Sequence, residues 1–487
     1  MPNVSNIVKN IQDIMRKDAG TYGDAQRLEQ LGWMFFLKIF DDREKELELL
    51  RDDYRSPLPQ HLRWSSWAAN DEGDTGGKLL DFVNITLLPK LKNLAVGTGD
   101  RLTTLIRNSF EDANNYMKNG TLMRQVINKI NGIDFNASDD RHMFGDIYEK
   151  LLKDLQSAGN AGEFYTPRAV TQFIVEQVNP RLDKQEIILD PACGTGGFLT
   201  CAIEHLRKQV KTEADESFIQ DCFSGIEKKH LPHVLCMTNL MLHGIDVPSN
   251  VRHDNTLARP LRDWSPKERV DVIVTNPPFG GMEEDGIEAN FPSEFRTRET
   301  ADLFLVLLMK ILKPRGRAGL VLPDGTLSGE GVKTRIKEEL LRECNLHTIV
   351  RLPNGVFNPY TGIRTNLLFF TKGEPTTEVW YYAHPYPTGA KSYNKGKPIR
   401  IEEFEPERVW WDNREENEQA WRVSIDQIKA RNYNLDIDNP HNSDTGPGDV
   451  DHLLPEYEKL LAQIAETRTA LKTELHHAFT AMTGAEA

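Results

Sequence analysis

The chain has 487 residues, 39% hydrophobic and 27% charged, a globular composition with room for roughly two to four domains. Its formal net charge is −14, which argues against a protein that grips nucleic acid unaided; such contact needs a local basic patch or a partner. No apolar run reaches the roughly 18 residues of a membrane span. Met1-Pro2-Asn3-Val4 lacks the start of a secretory signal, and five cysteines without a CxxC pair read as reduced thiols of a cytoplasmic protein with no metal site.

Residues 1–140 predict a helical domain. Leu28, Leu31, Phe35 and Ile39 recur at helical spacing, thickened by Trp33, Phe36 and Phe40. Pro57, Pro59 and the stretch from Asn70 to Gly77 mark loops. No catalytic constellation stands out there. Residues 141–438 read as one α/β domain in which strands alternate with helices. Strands are expected at Ile187 to Leu189, Cys222 to Ile226, Val270 to Val274, Ala318 to Leu322, Ile349-Val350, Leu367 to Phe370 and Val379 to Tyr382. Helices are expected after Gly197, from Leu231 to Leu242, Ala301 to Leu312 and Thr334 to Arg342. Repeated strand–helix units predict a doubly wound parallel sheet with ligands at the carboxyl ends of its strands. The last, closely spaced strands suggest a hairpin at one edge. Residues 439–452, rich in Pro, Gly, Asn and Asp, read as a linker. From 453 a last helix carries Tyr457, Leu461, Ile464, Leu471, Leu475 and Ala478 on a heptad stripe broken by Arg468. It packs on its own domain or, as the linker favours, pairs with another chain.

The most informative stretch is Asn276-Pro277-Pro278-Phe279, directly after an apolar strand. Two prolines make a stiff turn. It aims the Asn276 side-chain oxygen and the Asn276 and Pro277 carbonyls one way, with an aromatic ring alongside. Those parts suit the planar amino group of a heteroaromatic base lifted from its stack. Upstream, Asp190-Pro191-Ala192-Cys193-Gly194-Thr195-Gly196-Gly197 follows the first strand; its glycines let backbone pass close under a ligand at a helix N-terminus. It is neither a P-loop nor the dinucleotide fingerprint. Glu227 ends the second strand, where a carboxylate accepts ribose hydroxyls, and Asp254 follows a third, where it suits an adenine amino group.

These strand tips, in this order, resemble class I methyltransferases that use S-adenosyl-L-methionine, and among them the amino-methylating DNA enzymes. Gly162-Glu163-Phe164-Tyr165-Thr166-Pro167-Arg168 looks like the element of that class that wraps the methionine end of the cofactor. Together with the glycine loop it closely resembles the modification subunit of type I restriction–modification systems, over nearly the whole chain. The resemblance implies a site-specific DNA-methyltransferase acting on adenine N6. The cofactor residues it implies are Glu163, Phe164, Tyr165, Thr166, Pro167, Arg168, Asp190, Gly194, Thr195, Gly196, Gly197, Glu227 and Asp254, with Asn276, Pro277, Pro278 and Phe279 at the reacting base. The implied partners are double-stranded DNA, a specificity subunit that binds two copies of this chain, and a restriction/translocase subunit.

No strong base stands near Asn276, and none is needed if Asn276 Oδ1 and the Pro277 carbonyl accept both N6 hydrogens while Phe279 stacks on the ring. The polar loop from Gly280 to Thr300 reads as a cover for the mouth, with Arg296 and Arg298 either on phosphates or in solvent. The loop Leu352 to Phe357 is either part of the base cradle or a plain turn. The residues after the sheet leave little for independent sequence reading, so specificity is expected on another chain, with the last helix (453–487) as docking element. Two other readings remain: methylation of RNA or of a protein glutamine, and a non-catalytic assembly scaffold.

Overall fold

The structure is a computed structural model. It describes residues 4–135 save 99; 166–441 save 280, 359, 360, 390, 391 and 395; and residues 457, 461, 462 and 464–473. The chain divides into two compact units, Met1–Ile437 and Asp438–Ala487. Among the described residues no helix is long and apolar enough to cross a membrane.

The first unit is built on a nine-stranded sheet. Its strands are β1 (Ile188–Asp190), β2 (Phe223–Glu227), β3 (Val251–His253), β4 (Val270–Thr275), β5 (Leu312–Pro323), β6 (Cys344–Arg351), β7 (Thr365–Lys372), β8 (Glu378–Ala383) and β9 (Ala420–Ser424). The order across the sheet is β3-β2-β1-β4-β5-β7-β6-β8-β9. β3, β2, β1, β4 and β5 run parallel, as strand–helix alternation dictates. Central β4 shows why its sequence is a near-continuous apolar run: Val272 and Val274 fill the core on one face and Ile273 the core on the other.

The expectation of a hairpin at one edge needs correction. β7 lies inside the sheet, antiparallel to both β5 and β6. The reason is legible in its side chains: Thr365 to Phe370 are all buried, so both faces need cover and neither edge can face water. The outer strand on that side is β9, which pairs antiparallel with β8. Its alternating Trp421-Arg422-Val423 pattern, with only Arg422 exposed, carried the signal that the sequence analysis passed over.

The N-terminal residues form helices, among them Val4–Met15, Asp24–Leu50, Arg101–Phe110 and Gly120–Asn131. Asp24–Leu50 packs along the helix His230–Leu242, so the two regions share one core. Gly32 marks the close approach, because a Cβ there would lie 3.3 Å from Leu231 Cδ1. Leu28, Leu31, Phe35 and Ile39 are buried, but so are Trp33, Met34, Phe36, Leu37 and Phe40. Residues 31–40 of this helix are apolar nearly all round and lie in the interior, wedged between their neighbours and the sheet's helical layer. Arg43 and Arg51 add ion pairs to Asp246. In the second unit the described part of the last helix leaves Leu461, Ile464 and Leu471 exposed.

Candidate active site

The candidate residues converge where the fold predicts, at the carboxyl ends of adjacent parallel strands. Asp190 ends β1, Glu227 ends β2, Asp254 follows β3 and Asn276 follows β4. Asp190 is buried, and its Oδ1 accepts from the Ala192 N–H at 3.1 Å and the Thr275 hydroxyl at 2.7 Å. Burial pushes its carboxyl up to about 7, against those two hydrogen bonds and with a small push from Glu227. The Thr275 bond ties the tip of β1 to the residue immediately before Asn276.

The glycine loop turns through left-handed backbone at Gly194 (φ 52°) and Gly196 (φ 84°) before the helix Gly197–Arg207. The two glycines serve different ends. A Cβ at Gly196 would stand 2.8 Å from Cys236 Sγ, so this glycine permits packing inside the protein. A Cβ at Gly194 would meet nothing within 4 Å among the described residues and would project into open space. Thr195 is held by its carbonyl, which accepts from Asn239 Nδ2 at 3.0 Å. Glu227 is locked by backbone donors: Oε2 accepts from Gly194 N at 2.9 Å and Oε1 from Lys229 N at 2.7 Å. One carboxylate thus sets the loop against the second strand. Asp254 is exposed, and its N–H donates to the Glu227 carbonyl at 3.0 Å.

At the β4 end the amide of Asn276 has a defined orientation. Its Nδ2 donates to Thr166 Oγ1 at 2.8 Å, and its Oδ1 is a buried acceptor with no partner among the described residues. An unpaired buried acceptor costs about 1–3 kcal/mol, so this atom is poised for a donor that none of the described residues supplies. Pro277 is buried, Pro278 exposed and Phe279 buried. The Phe279 ring meets Phe357 edge-on, with centroids 5.9 Å apart. Phe357 belongs to the Leu352-to-Phe357 loop, so that loop reaches the turn. It is pinned from behind by Tyr386 Oη, which donates to the Asn354 carbonyl at 2.9 Å, and by Asn358 Nδ2 on the Tyr393 carbonyl at 3.1 Å.

Of the upstream element, Glu163, Phe164 and Tyr165 lie outside the described residues. Thr166 reaches Asn276, and Pro167 opens the helix Arg168–Val178. Arg168 is turned onto the helix Gly197–Arg207, with Nη1 on Thr200 Oγ1 at 3.0 Å and Nη2 on Glu204 at 2.6 Å. Burial works against ionisation of Glu204, yet the His243 hydrogen bond and the Arg168 charge hold its carboxyl down to about 2. Arg168 therefore fastens two helices together.

The loop after Phe279 is tied down. Met282 bridges Glu299, and the Thr300 hydroxyl donates to the Gly281 carbonyl at 3.0 Å. Buried Glu283 faces Lys228 and Asn255, the neighbours of Glu227 and Asp254, each at 3.3 Å. Sequence reasoning missed Glu283, because its partners lie at two other strand ends. Arg298 is spent on Asp285 and the Glu283 carbonyl, whereas among the described residues Arg296 donates only to the Phe291 carbonyl.

Comparison with known proteins agrees with this geometry. The family model for N-6 DNA Methylase matches residues 139–446, and the one for the HsdM N-terminal domain matches 4–130. The chain is 60% identical to the type I restriction enzyme EcoEI methylase subunit of Escherichia coli, over 99% of this chain and 100% of that one. A modification subunit assigned to a type I restriction enzyme of Vibrio vulnificus YJ016 superposes with a TM-score of 0.81 at 44% identity, covering 90% of this chain and 97% of the other. A chain from work on complex assembly and conformational transition of the type I R-M system gives 0.81 at 37% identity, over 96% and 98%. With the strand-tip carboxylates, the glycine loop and the Asn-Pro-Pro-Phe turn assembled at one end of the sheet, the chain belongs to the N-6 DNA methylase family, among the modification subunits of type I restriction enzymes.

Proposed function

We propose that this chain transfers a methyl group from S-adenosyl-L-methionine to N6 of an adenine flipped out of double-stranded DNA, at a site chosen by a separate specificity subunit. The observation that carries the reading is Asn276: a buried, unpartnered Oδ1 whose orientation is set by Thr166. The open space at Gly194 and the carboxylates of Asp190, Glu227 and Asp254 fit the cofactor: glycine backbone beneath it, Glu227 at the ribose, Asp254 at the adenine. When bound, the cofactor supplies an electrophilic methyl on a positively charged sulfur.

The residues of the chain do the rest. Adenine N6 is a poor nucleophile because its lone pair is delocalised into the ring. Asn276 Oδ1 and the Pro277 carbonyl accept its two hydrogens and pull the nitrogen toward tetrahedral geometry, which frees the lone pair for the methyl carbon. With the methyl group supplied by the bound cofactor, the surplus N6 proton, held between Asn276 Oδ1 and the Pro277 carbonyl, would leave to solvent. Phe279 holds the flipped ring by stacking, worth about 1–3 kcal/mol, with Phe357 behind it. Catalysis is positioning and preorganised dipoles rather than proton abstraction.

Residues 1–140 serve as the helical domain, 141–438 as the catalytic domain, 439–452 as the linker and 453–487 as the docking helix. Exposed Leu461, Ile464 and Leu471 supply its apolar seam. A chain of net charge −14 gains from a partner that reads DNA. Two copies per specificity subunit, with a restriction/translocase subunit joining them, complete the assembly. The test is Asn276→Ala: methyl transfer should collapse while cofactor binding persists, and full transfer by that variant would sink the mechanism.

A further inference from the structure

An acidic chain that works on DNA gathers positive charge in a groove that runs from the cofactor end of its candidate active site toward the start of β4. The groove, of about 510 Å³, runs beside the helix Thr300–Ile311. Its basic lining is Arg262, Arg269, Arg296 and Lys310, its apolar floor includes Phe291 and Trp264, and it contains no acidic side chain. Among the described residues Arg269, Arg296 and Lys310 form no ion pair, and Arg262 has only Asp263 at 3.8 Å. Lys372 stands close by: burial lowers its pKa, and the charges of Arg269 and Lys310 lower it further, against Cys344 and Glu343, which raise it. Like charges held together with few counterions are a cost to the folded chain and mark a place for an anion.

We propose that this groove holds the phosphodiester backbone of duplex DNA flanking the methylated adenine. The inference rests on the methyltransferase reading above and adds to it a second contact with the same substrate. Cations spread from the β3–β4 connection to the last turn of a helix fit a repeating polyanion better than a single phosphate. The groove also adjoins the cofactor end of the site, since Asn290 Nδ2 in its lining donates to the Leu257 and Ala258 carbonyls just past Asp254. Arg269 immediately precedes β4 and Asn276 immediately follows it. A strand of that length spans about 20 Å, or about six base pairs of duplex. The groove therefore meets DNA well outside the flipped base.

The test uses the chain assembled with its specificity partner and the triple variant Arg269→Gln, Arg296→Gln, Lys310→Gln. Duplexes keep the recognition site and end either about four or about fifteen base pairs beyond the target adenine. On the long duplex the slope of log affinity against log salt should fall by about 2–3, near 0.9 per lost phosphate contact. On the short duplex, wild type and variant should bind and methylate alike, and the double variant Arg269→Lys, Arg296→Lys with Lys310 intact should keep the long-duplex slope of wild type. An unchanged slope on the long duplex overturns the proposal. So does an equal loss on both lengths, or loss of subunit assembly with the salt slope intact, which would assign the groove to a protein. Failure of the underlying reading is separate: the wild-type complex would then methylate neither duplex.

Discussion

Removing the Thr166 hydroxyl should disable the role proposed for Asn276 without replacing that residue. Asn276 Nδ2 donates to Thr166 Oγ1 at 2.8 Å, and this bond leaves Oδ1 as the free acceptor. In Thr166→Val the amide loses its anchor and can rotate to present Nδ2, a donor, to the N6 amino group, which then meets repulsion instead of acceptance. The energy at stake is one hydrogen bond plus the penalty of a buried donor left bare, about 1–3 kcal/mol, or roughly a 5- to 150-fold fall in rate. The assay is single-turnover methyl transfer with cofactor and DNA saturating, so that binding drops out. Thr166→Ser keeps the acceptor and should hold the rate within a fewfold of wild type. In a cycle with Asn276→Ala the two losses should not add, because the valine acts only through the amide. Wild-type turnover by Thr166→Val, or equal damage from valine and serine, would refute the reasoning.

The two strained glycines should separate folding from binding. Gly196→Ala should lower Tm, since its Cβ meets Cys236 Sγ at 2.8 Å and its φ is 84°; Gly194→Ala should leave Tm within a few degrees yet weaken cofactor binding about tenfold or more by filling the cradle, measured by calorimetry. Asp190 should make stability depend on pH. Its folded pKa of about 7 lies above the ordinary value near 3.9, so its contribution is present in full below about pH 4 and lost as pH rises through 7, by up to about 4 kcal/mol. Asp190→Asn should flatten that decline in denaturant melts at pH 5 and pH 8; an unchanged decline assigns it to other groups. Replacing Leu461, Ile464 and Leu471 with serine should leave the Tm of the isolated chain unchanged, because these residues are exposed, while weakening co-purification with the specificity subunit at least tenfold.

Much of the fold could be read from the residues because parallel strands announce themselves. Val270 to Val274, apolar on both faces, and the helices that follow each glycine or proline punctuation leave few alternatives. What escaped were relations between distant segments. The position of β7 between β5 and β6 depends on which neighbour covers each face, which the run Leu367-Leu368-Phe369-Phe370 implies only once both faces are known to be buried. The Thr166–Asn276 bond spans 110 residues, and no local pattern encodes it. Arg168 sits in a motif that suggests a ligand, yet Glu204, a helix away, claims it. Asn276, Asp190 and the glycines were legible because their chemistry is local: a stiff turn, a strand end, a positive φ.

The most direct test of the account is transfer of labelled methyl from S-adenosyl-L-methionine to unmodified DNA, by this chain alone and by this chain co-expressed with its specificity partner, with the labelled base identified after digestion. The account predicts label on adenine N6 with the partner present and none with the chain alone. Label placed by the chain alone, or no label on DNA from a complex that binds the cofactor, would contradict it.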